Sequence, residues 1–468
     1  MKIFTTKLEQ FREELYQTFN NRADALMDLV DAVSSYPEAE SVVEYSLAPC
    51  YRRSYSTISK ALNEMQVDKM ALPRLIGRHL PKPEKRNFML LGTDVTPQPR
   101  PYAETLVDRG MVYEPTVIKG NKPITIGHQY STVCYLPEPE DGLTSSWVVP
   151  LLTERVTTEQ DKELVGSDQI GALLADEKLA FAEQLCVDVS DSSYSKPVCV
   201  HRNRHHADLV TIARLRGSRT LYCQPTDEQQ EQDGAGHPTW YGDEFKLPDS
   251  STWHAPDDAL TVHEQSRRGK LYRVEIEAWH NMLMRGKRKP TSIPMHQHPF
   301  TLIRISRYHA DGSLACKKPL WLLVIGERRH EISLADCYQA YRQRFDLEHF
   351  FRFGKQKMLL TSFQTPEDWR EENWWQLVHI AYAQLWLARS VAICLPRPWE
   401  RNLPAYKQKL LSPSAVQRDF GRIIRQIGSP AAPPKPRGIS PGRPPGTKLE
   451  PRPKQKVVVK SQQQANAP

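Results

Sequence analysis

The chain has no run of 18 or more apolar residues, which excludes an ordinary membrane-spanning helix. Its first residues, MKIFTTKLEQFREELYQTF, are mixed and charged and lack the apolar core of a secretory signal, so a cytoplasmic protein is expected. No two of its cysteines (Cys50, Cys134, Cys186, Cys199, Cys223, Cys316, Cys337 and Cys394) form a Cys-x-x-Cys pair. In a long chain without a visible signal they read as reduced thiols, not as a disulfide framework. Histidines gather in HRNRHH (201–206) and HQH (296–298), but no spacing supplies the four ligands of a zinc site. They read as polar or polyanion-facing groups. No internal repeat is visible.

What is present is length, moderate apolar content and an uneven charge. The 468 residues suggest more than one structural unit, and an apolar fraction of 39% allows a sizeable core. The formal net charge is +8. Residues 426–468 hold Lys435, Arg437, Arg443, Lys448, Arg452, Lys454, Lys456 and Lys460 against the single acid Glu450, so this tail carries seven of the eight net charges. The rest is close to neutral. A basic tail points to a polyanion. Its richness in Pro, Gly and Lys and its end, SQQQANAP, predict disorder.

Residues 1–80 read as helical, with Leu15, Phe19, Ala25, Leu26, Leu29 and Val30 at helical spacings and a second helix over 56–65 capped by Ser56. From residue 86 strands are expected in RNFMLLGTD, HQYSTVCYL (128–136), SSWVVPLLTERV (145–156) and CVDVSDSSY (186–194), with a helix over 174–185. That alternation is an α/β pattern. Between 200 and 330 the candidate strands LVTIARL, RTLYCQP, LYRVEIEAW, FTLIRISRY and PLWLLVIG suggest a β-rich unit. Helix resumes near Leu334, and a buried helix is expected over 374–393.

One stretch carries chemistry. In YRQRFDLEHFFRFGK (341–355), Tyr341, Arg344, Glu348 and Lys355 stand at offsets of 0, 3, 7 and 14. On a single helix turning about 100° per residue, all four fall within roughly 60° of arc. Such a face offers a carboxylate for Mg²⁺ and a guanidinium and an ammonium for phosphate oxygens. Asp94 and Asp191 close two predicted strands, where open α/β sheets place their chemistry. Three carboxylates can hold two Mg²⁺ ions about 3.5–4 Å apart and act on a phosphodiester.

On these residues the chain resembles the bacterial DDE transposases of cut-and-paste insertion sequences with the Y-(2)-R-(3)-E-(6)-K signature, over about residues 86–395. The resemblance implies an α/β fold: a ribonuclease-H-like catalytic core with a β-rich insertion domain, an N-terminal helical module and a disordered basic tail. The implied boundaries are a helical DNA-end-binding module over 1–80, core over 81–199, insertion over 200–333, core over 334–425 and tail over 426–468. Asp94 matches the first catalytic and metal-binding acid. Asp191 matches the second, because Tyr194 stands three residues on, with Asp188 the rival. Glu348 matches the third. Tyr341, Arg344 and Lys355 match positions that grip DNA phosphates, and Trp321 a position that stacks on a flipped base.

Arg214 and Arg216 would track the DNA backbone. GRPPG (442–446) resembles the Gly-Arg-Pro core of minor-groove AT hooks, but Pro441 stands where an arginine is expected. The implied cofactor is Mg²⁺, two ions, with Mn²⁺ able to substitute. The implied partners are double-stranded DNA (terminal inverted repeats and target) and a second copy in a paired-end homodimer, with no membrane. No P-loop sequence is present, and transesterification needs no nucleotide energy source.

Overall fold

The computed structural model describes residues 2–114, 123–139, 147–231, 239–266, 268–286, 293–393, 411–436, 438, 442, 444–448 and 450–459. In chain order come helices α1 (Lys2–Thr18), α2 (Ala23–Ser35), α3 (Ser56–Glu64) and α4 (Ala71–Gly77), then strands β1 (Met89–Pro99), β2 (Gly110–Tyr113), β3 (Ile124–Tyr135) and β4 (Val149–Val156). Helix α5 (Lys162–Ala175), strand β5 (Cys186–Ser190) and helix α6 (Pro197–Asn203) follow. Next are β6 (Leu209–Leu215), β7 (Thr220–Tyr222), helix α7 (Asp227–Glu231), β8 (Glu244–Lys246), β9 (Asp258–Gln265), β10 (Leu271–Met282), β11 (Phe300–His309) and β12 (Leu320–Ile325). Helices α8 (Leu334–Gln343), α9 (Phe345–Lys357), α10 (Asp368–Ile393) and α11 (Pro413–Ile427) complete the order. The elements divide between two compact units, one of residues 1–81, 95–160 and 346–467, the other of 82–94 and 161–345.

The first unit is built around α10, which packs against α1, α2, α11 and β4. This helix is apolar on nearly every side, as a helix enclosed by others must be. No described helix is long and apolar enough to cross a membrane. Helix α2 buries every residue from Ala25 to Ser34, including Asp28 and Asp31. Arg12 of α1 pairs with Asp31 and also donates to Gln384 Oε1 of α10 at 2.8 Å, with Arg12 and Asp31 each 2% exposed at the side chain. The N-terminal helices therefore share this unit's core.

A second buried charge cluster sits in the same unit. Glu371 of α10 is fully buried and is met by Arg100 at 2.9 Å, His128 Nδ1 at 2.8 Å and Tyr130 Oη at 2.9 Å. Strands β2, β3 and β4 pair antiparallel in sequence. Pro150 falls at the irregularity between Val133 and Cys134, where a strand can accept a residue with no N–H to donate.

The second unit is a large mixed sheet in the order β1-β5-β6-β12-β11-β10-β9. Strands β1, β5 and β6 run parallel. From β6 onward each pairing is antiparallel. The long strands of the β-rich stretch thus extend the sheet that carries β1 and β5, and only β7 and β8 pair apart from it. Strands β2, β8 and β9 were not foreseen. The helix expected over 174–185 lies earlier, as α5. Asp161 caps it by accepting from Glu163 N at 3.0 Å, and Asp176 turns extended and ends it. Residues 180–183 form one 3₁₀ turn. Helix α8 is capped by Ser333, which accepts from Asp336 N at 3.1 Å.

The tail is not structureless throughout. Ala431 is 4% exposed, Arg53 donates to Ala432 O at 2.7 Å, and Ala432 N donates to Asp24 Oδ1 at 2.8 Å. Further on, Gln455 N donates to Glu104 O and Val458 N to Arg109 O, each at 2.7 Å. Too few apolar residues exclude a core, but not the laying of an extended segment on an existing surface. Within GRPPG, Arg443 lies outside the described residues, as do Arg437, Lys460 and Cys394.

Removing one partner of the buried Arg12 pair leaves the other charge uncompensated. Asp31→Ala is expected to cost about 3–5 kcal/mol of unfolding free energy. Urea denaturation checks this, and a loss below ~1 kcal/mol would show that the pair is not what ties α1 to α2.

Candidate active site

Two strands of the second unit fix the aspartates. The parallel register sets Leu91 beside Asp188 and Gly92 beside Val189. Side chains alternate between the faces of a sheet. Thr93 therefore shares a face with Asp188, and its hydroxyl donates to Asp188 Oδ1 at 2.7 Å. By the same alternation Asp94 of β1 falls on the face opposite Thr93. Of the two candidates for the second acid, Asp188 lies within β5 and Asp191 stands one residue past its end.

Their environments differ in the same sense. Asp188 is 1% exposed, and its Oδ2 has no hydrogen-bond partner. Burial pushes its carboxyl up to about 7, against the lowering effects of Thr93, Ser190 and Arg344. Asp94 is a quarter exposed and lies 3.6 Å from Arg344 Nη1. Asp191 is partly exposed and accepts from Ser193 N at 2.8 Å and Ser193 Oγ at 2.6 Å, a turn that holds its carboxylate just beyond the strand.

Around these acids stand Tyr194, Tyr341 and Arg214. Tyr194 is buried, and its phenol is pushed far up by desolvation, then by Asp94, Asp188, Glu163 and Asp191. Burial also raises the Tyr341 phenol, while Arg344 and Arg214 pull the other way. Both tyrosines stay protonated donors at neutral pH. Arg214 and Arg216 are exposed, on and just after β6. Gly166 of α5 was missed by sequence reasoning. A Cβ there would lie 2.8 Å from both Thr93 Cγ2 and Tyr194 Oη, so the helix approaches these two residues as only glycine allows.

Not all expected residues belong to the same unit. Glu348 and Lys355 belong to the first unit, on α9, where a spacing of seven residues keeps them within about 20° of each other on one helix face. The helix expected over 341–355 is two helices. At Arg344 the backbone N–H bonds to Tyr341 O, three residues back, so the ladder tightens between α8 and α9. Trp321 is 3% exposed, with its ring packed among Phe245, Trp253 and Trp279. Stacking on a base there would require this cluster to open.

The clustered histidines sit elsewhere in the second unit. His201 Nδ1 and His298 Nε2 are 3.1 Å apart, and burial, then Arg204 and His201, lowers His298 to about 4. His298 and His205 line a cavity of about 640 Å³ that none of the three aspartates lines. Among the described residues no three His, Cys, Asp or Glu side chains are grouped to hold a metal ion. Asp94 and Asp191 nonetheless suit Mg²⁺, which takes one or two carboxylates and fills its remaining positions with water and substrate oxygens.

A family description, DDE superfamily endonuclease, matches residues 14–285, more than half of the chain. The chain belongs to this superfamily. Among curated proteins none matches it in sequence. The matched span contains Asp94, Asp188 and Asp191 and ends before Tyr341. DDE endonucleases act on DNA, so this chain is a nuclease-type enzyme with a DNA substrate, of a superfamily that uses divalent metals.

Two outcomes are expected of the aspartate frame. Gly166→Ala should destabilise the protein by about 1–3 kcal/mol through overpacking. A change within ~0.5 kcal/mol would mean that Thr93 and Tyr194 move aside freely. Asp188 holds its proton more tightly folded than unfolded. Its contribution is therefore fully present below the ordinary Asp range, near 4, and is lost as pH rises towards about 7. Stability in metal-free buffer should fall over that window in the wild type, and Asp188→Asn should remove this part of the slope. Equal slopes in the two proteins would place the Asp188 proton elsewhere.

Proposed function

We propose that the chain is a cut-and-paste transposase that cuts at its element's terminal inverted repeats and joins the freed 3′ ends to target DNA. The observation that carries this reading is the combination of Asp94 on β1 and Asp191 just after the neighbouring parallel strand β5 with the Tyr341–Arg344–Glu348–Lys355 spacing downstream, in a DDE endonuclease. Asp94, Asp191 and Glu348 would hold the Mg²⁺. When bound, the metal supplies Lewis-acid stabilisation of charge on the reacting phosphodiester.

The chain's own groups do the rest. Arg344, 3.6 Å from Asp94, places a guanidinium beside the carboxylate, where it can donate to a nonbridging phosphate oxygen. Tyr341 remains a hydroxyl donor because its pKa is raised. Lys355 adds a second cation on the face that carries Glu348. In the first step a water oxygen bonds to phosphorus and the 3′ oxygen of the element leaves, taking a proton to become a hydroxyl. In the second, that hydroxyl oxygen bonds to a target phosphorus and gives its proton to solvent, and the target's own 3′ oxygen departs, taking a proton from solvent to become a hydroxyl. Each joining step forms one ester bond for each it breaks, so no external energy source is required.

Asp94→Asn, Asp191→Asn and Glu348→Gln are expected to abolish cleavage of a terminal-repeat duplex in Mg²⁺ while leaving its binding within about threefold, about 0.6 kcal/mol. Cleavage retained in Asp191→Asn but lost in Asp188→Asn would transfer the second ligand to 188. Arg344→Ala and Lys355→Ala should each reduce the log–log salt slope of binding by about 0.9. Cleavage without any joined product would leave an endonuclease that lacks strand transfer.

A further inference from the structure

The docked tail has a construction that the catalytic reading does not use. Residues 450–458 lie extended against the first unit, along Glu104–Gly110. Val458 bridges in parallel to Gly110 at the start of β2. Alternate residues split by face: Arg452, Lys454 and Lys456 are exposed, whereas Gln455 and Val457 are half-buried. Two of the cations are held by acids of the body. Arg452 pairs with Glu367, and Lys454 Nζ lies 2.5 Å from Glu104 Oε2.

Each group that holds this segment has a substitute when it leaves. Glu367 is nearly buried but keeps Arg370 at 3.2 Å and the Thr365 hydroxyl at 3.0 Å. Glu104 is 59% exposed and returns to water. Arg109 Nη2 donates to Gln455 O at 3.4 Å and is uncovered to water when the segment leaves, while its Nη1 retains Arg100 O and Pro101 O at 3.2 Å. Each group thus keeps a partner or regains water, so undocking is cheap. The earlier tail differs. Ala431 is buried, Arg52 donates to its carbonyl at 3.0 Å, and Arg12 donates to Gly428 O at 3.1 Å. The tail thus has a fixed root and a weakly held outer segment, with a Pro-rich stretch between them.

We propose that residues 450–458 are a masked DNA-binding segment. In the free protein Glu104 and Glu367 neutralise Lys454 and Arg452, and duplex phosphates compete for the same cations and draw the segment off the β2 edge. The exchange replaces single exposed ion pairs with contacts to a polyanion that releases counterions. It rests on the DNA-acting reading of the enzyme.

Amide exchange and duplex affinity on the full chain test it. Without DNA, the amides of Gln455 and Val458 should be protected. Saturating random-sequence duplex at low salt should speed their exchange at least about tenfold, which is the loss of a structure worth roughly 1.4 kcal/mol. Protection that is absent without DNA, or unchanged with it, overturns the proposal. Glu104→Gln should tighten random-duplex binding roughly twofold to fivefold, the scale of one exposed ion pair. That gain should vanish in a background of Arg452→Gln and Lys454→Gln. An equal gain in both backgrounds would reflect the body's charge alone, and no gain in either would mean no competition; both refute it. If the wild-type chain binds no duplex, the proposed function fails and release fails with it, while docking is still read from exchange without DNA.

Discussion

The parallel pairing of β1 with β5 is the constraint on which the candidate site depends. A strand has only two faces, so one register decides where every side chain at its end points. With Leu91 beside Asp188, the Thr93 hydroxyl meets the Asp188 carboxyl inside the protein, and Asp94 is left on the other face. A shift of one residue would exchange these roles. Asp188 is buried, its carboxyl raised by that burial and bonded by Thr93, while Asp94 and Asp191 are partly exposed. Gly166 supports the same corner by letting α5 approach Thr93 and Tyr194.

Charge is used in contrasting ways. In the first unit, Arg12 with Asp31 and Arg100 with Glu371 are enclosed and richly hydrogen-bonded. Such pairs cost desolvation and are strongly destabilising to break, so they specify which helices and strands meet. At the outer tail the pairs of Lys454 and Arg452 are exposed on the cation's side. Those are worth little each and can be exchanged for other anions. The same residue types therefore act as fixed ties or as exchangeable contacts according to burial alone.

Much of this was legible in the residues. Apolar runs such as MLLG and LWLLVI are strands because β-rich apolar segments of that length can be buried in a sheet. The helix of residues 162–175 was read about ten residues late, because its Asp161 cap precedes a stretch with no clear apolar period. The aspartates at strand ends and the Tyr-Arg-Glu-Lys spacing were visible directly. Strand β9 was not, because its residues are almost all exposed and carry no apolar alternation to betray them. Nor was Gly166, since a close approach leaves no mark in a linear string.

The sequence by itself determined the element types, the acids available for chemistry and the separation of a near-neutral body from a basic tail. Those properties are local: propensity, alternation and charge act within a few residues. Tertiary structure decided the rest. Strand register set Thr93 against Asp188, a cluster of aromatic rings enclosed Trp321, and α10 drew the N-terminal helices into a shared core. The edge of β2 and the acid Glu104 gave the outer tail a place to lie. Each of these outcomes needs a partner distant in the chain, and no stretch of sequence carries its partner's position.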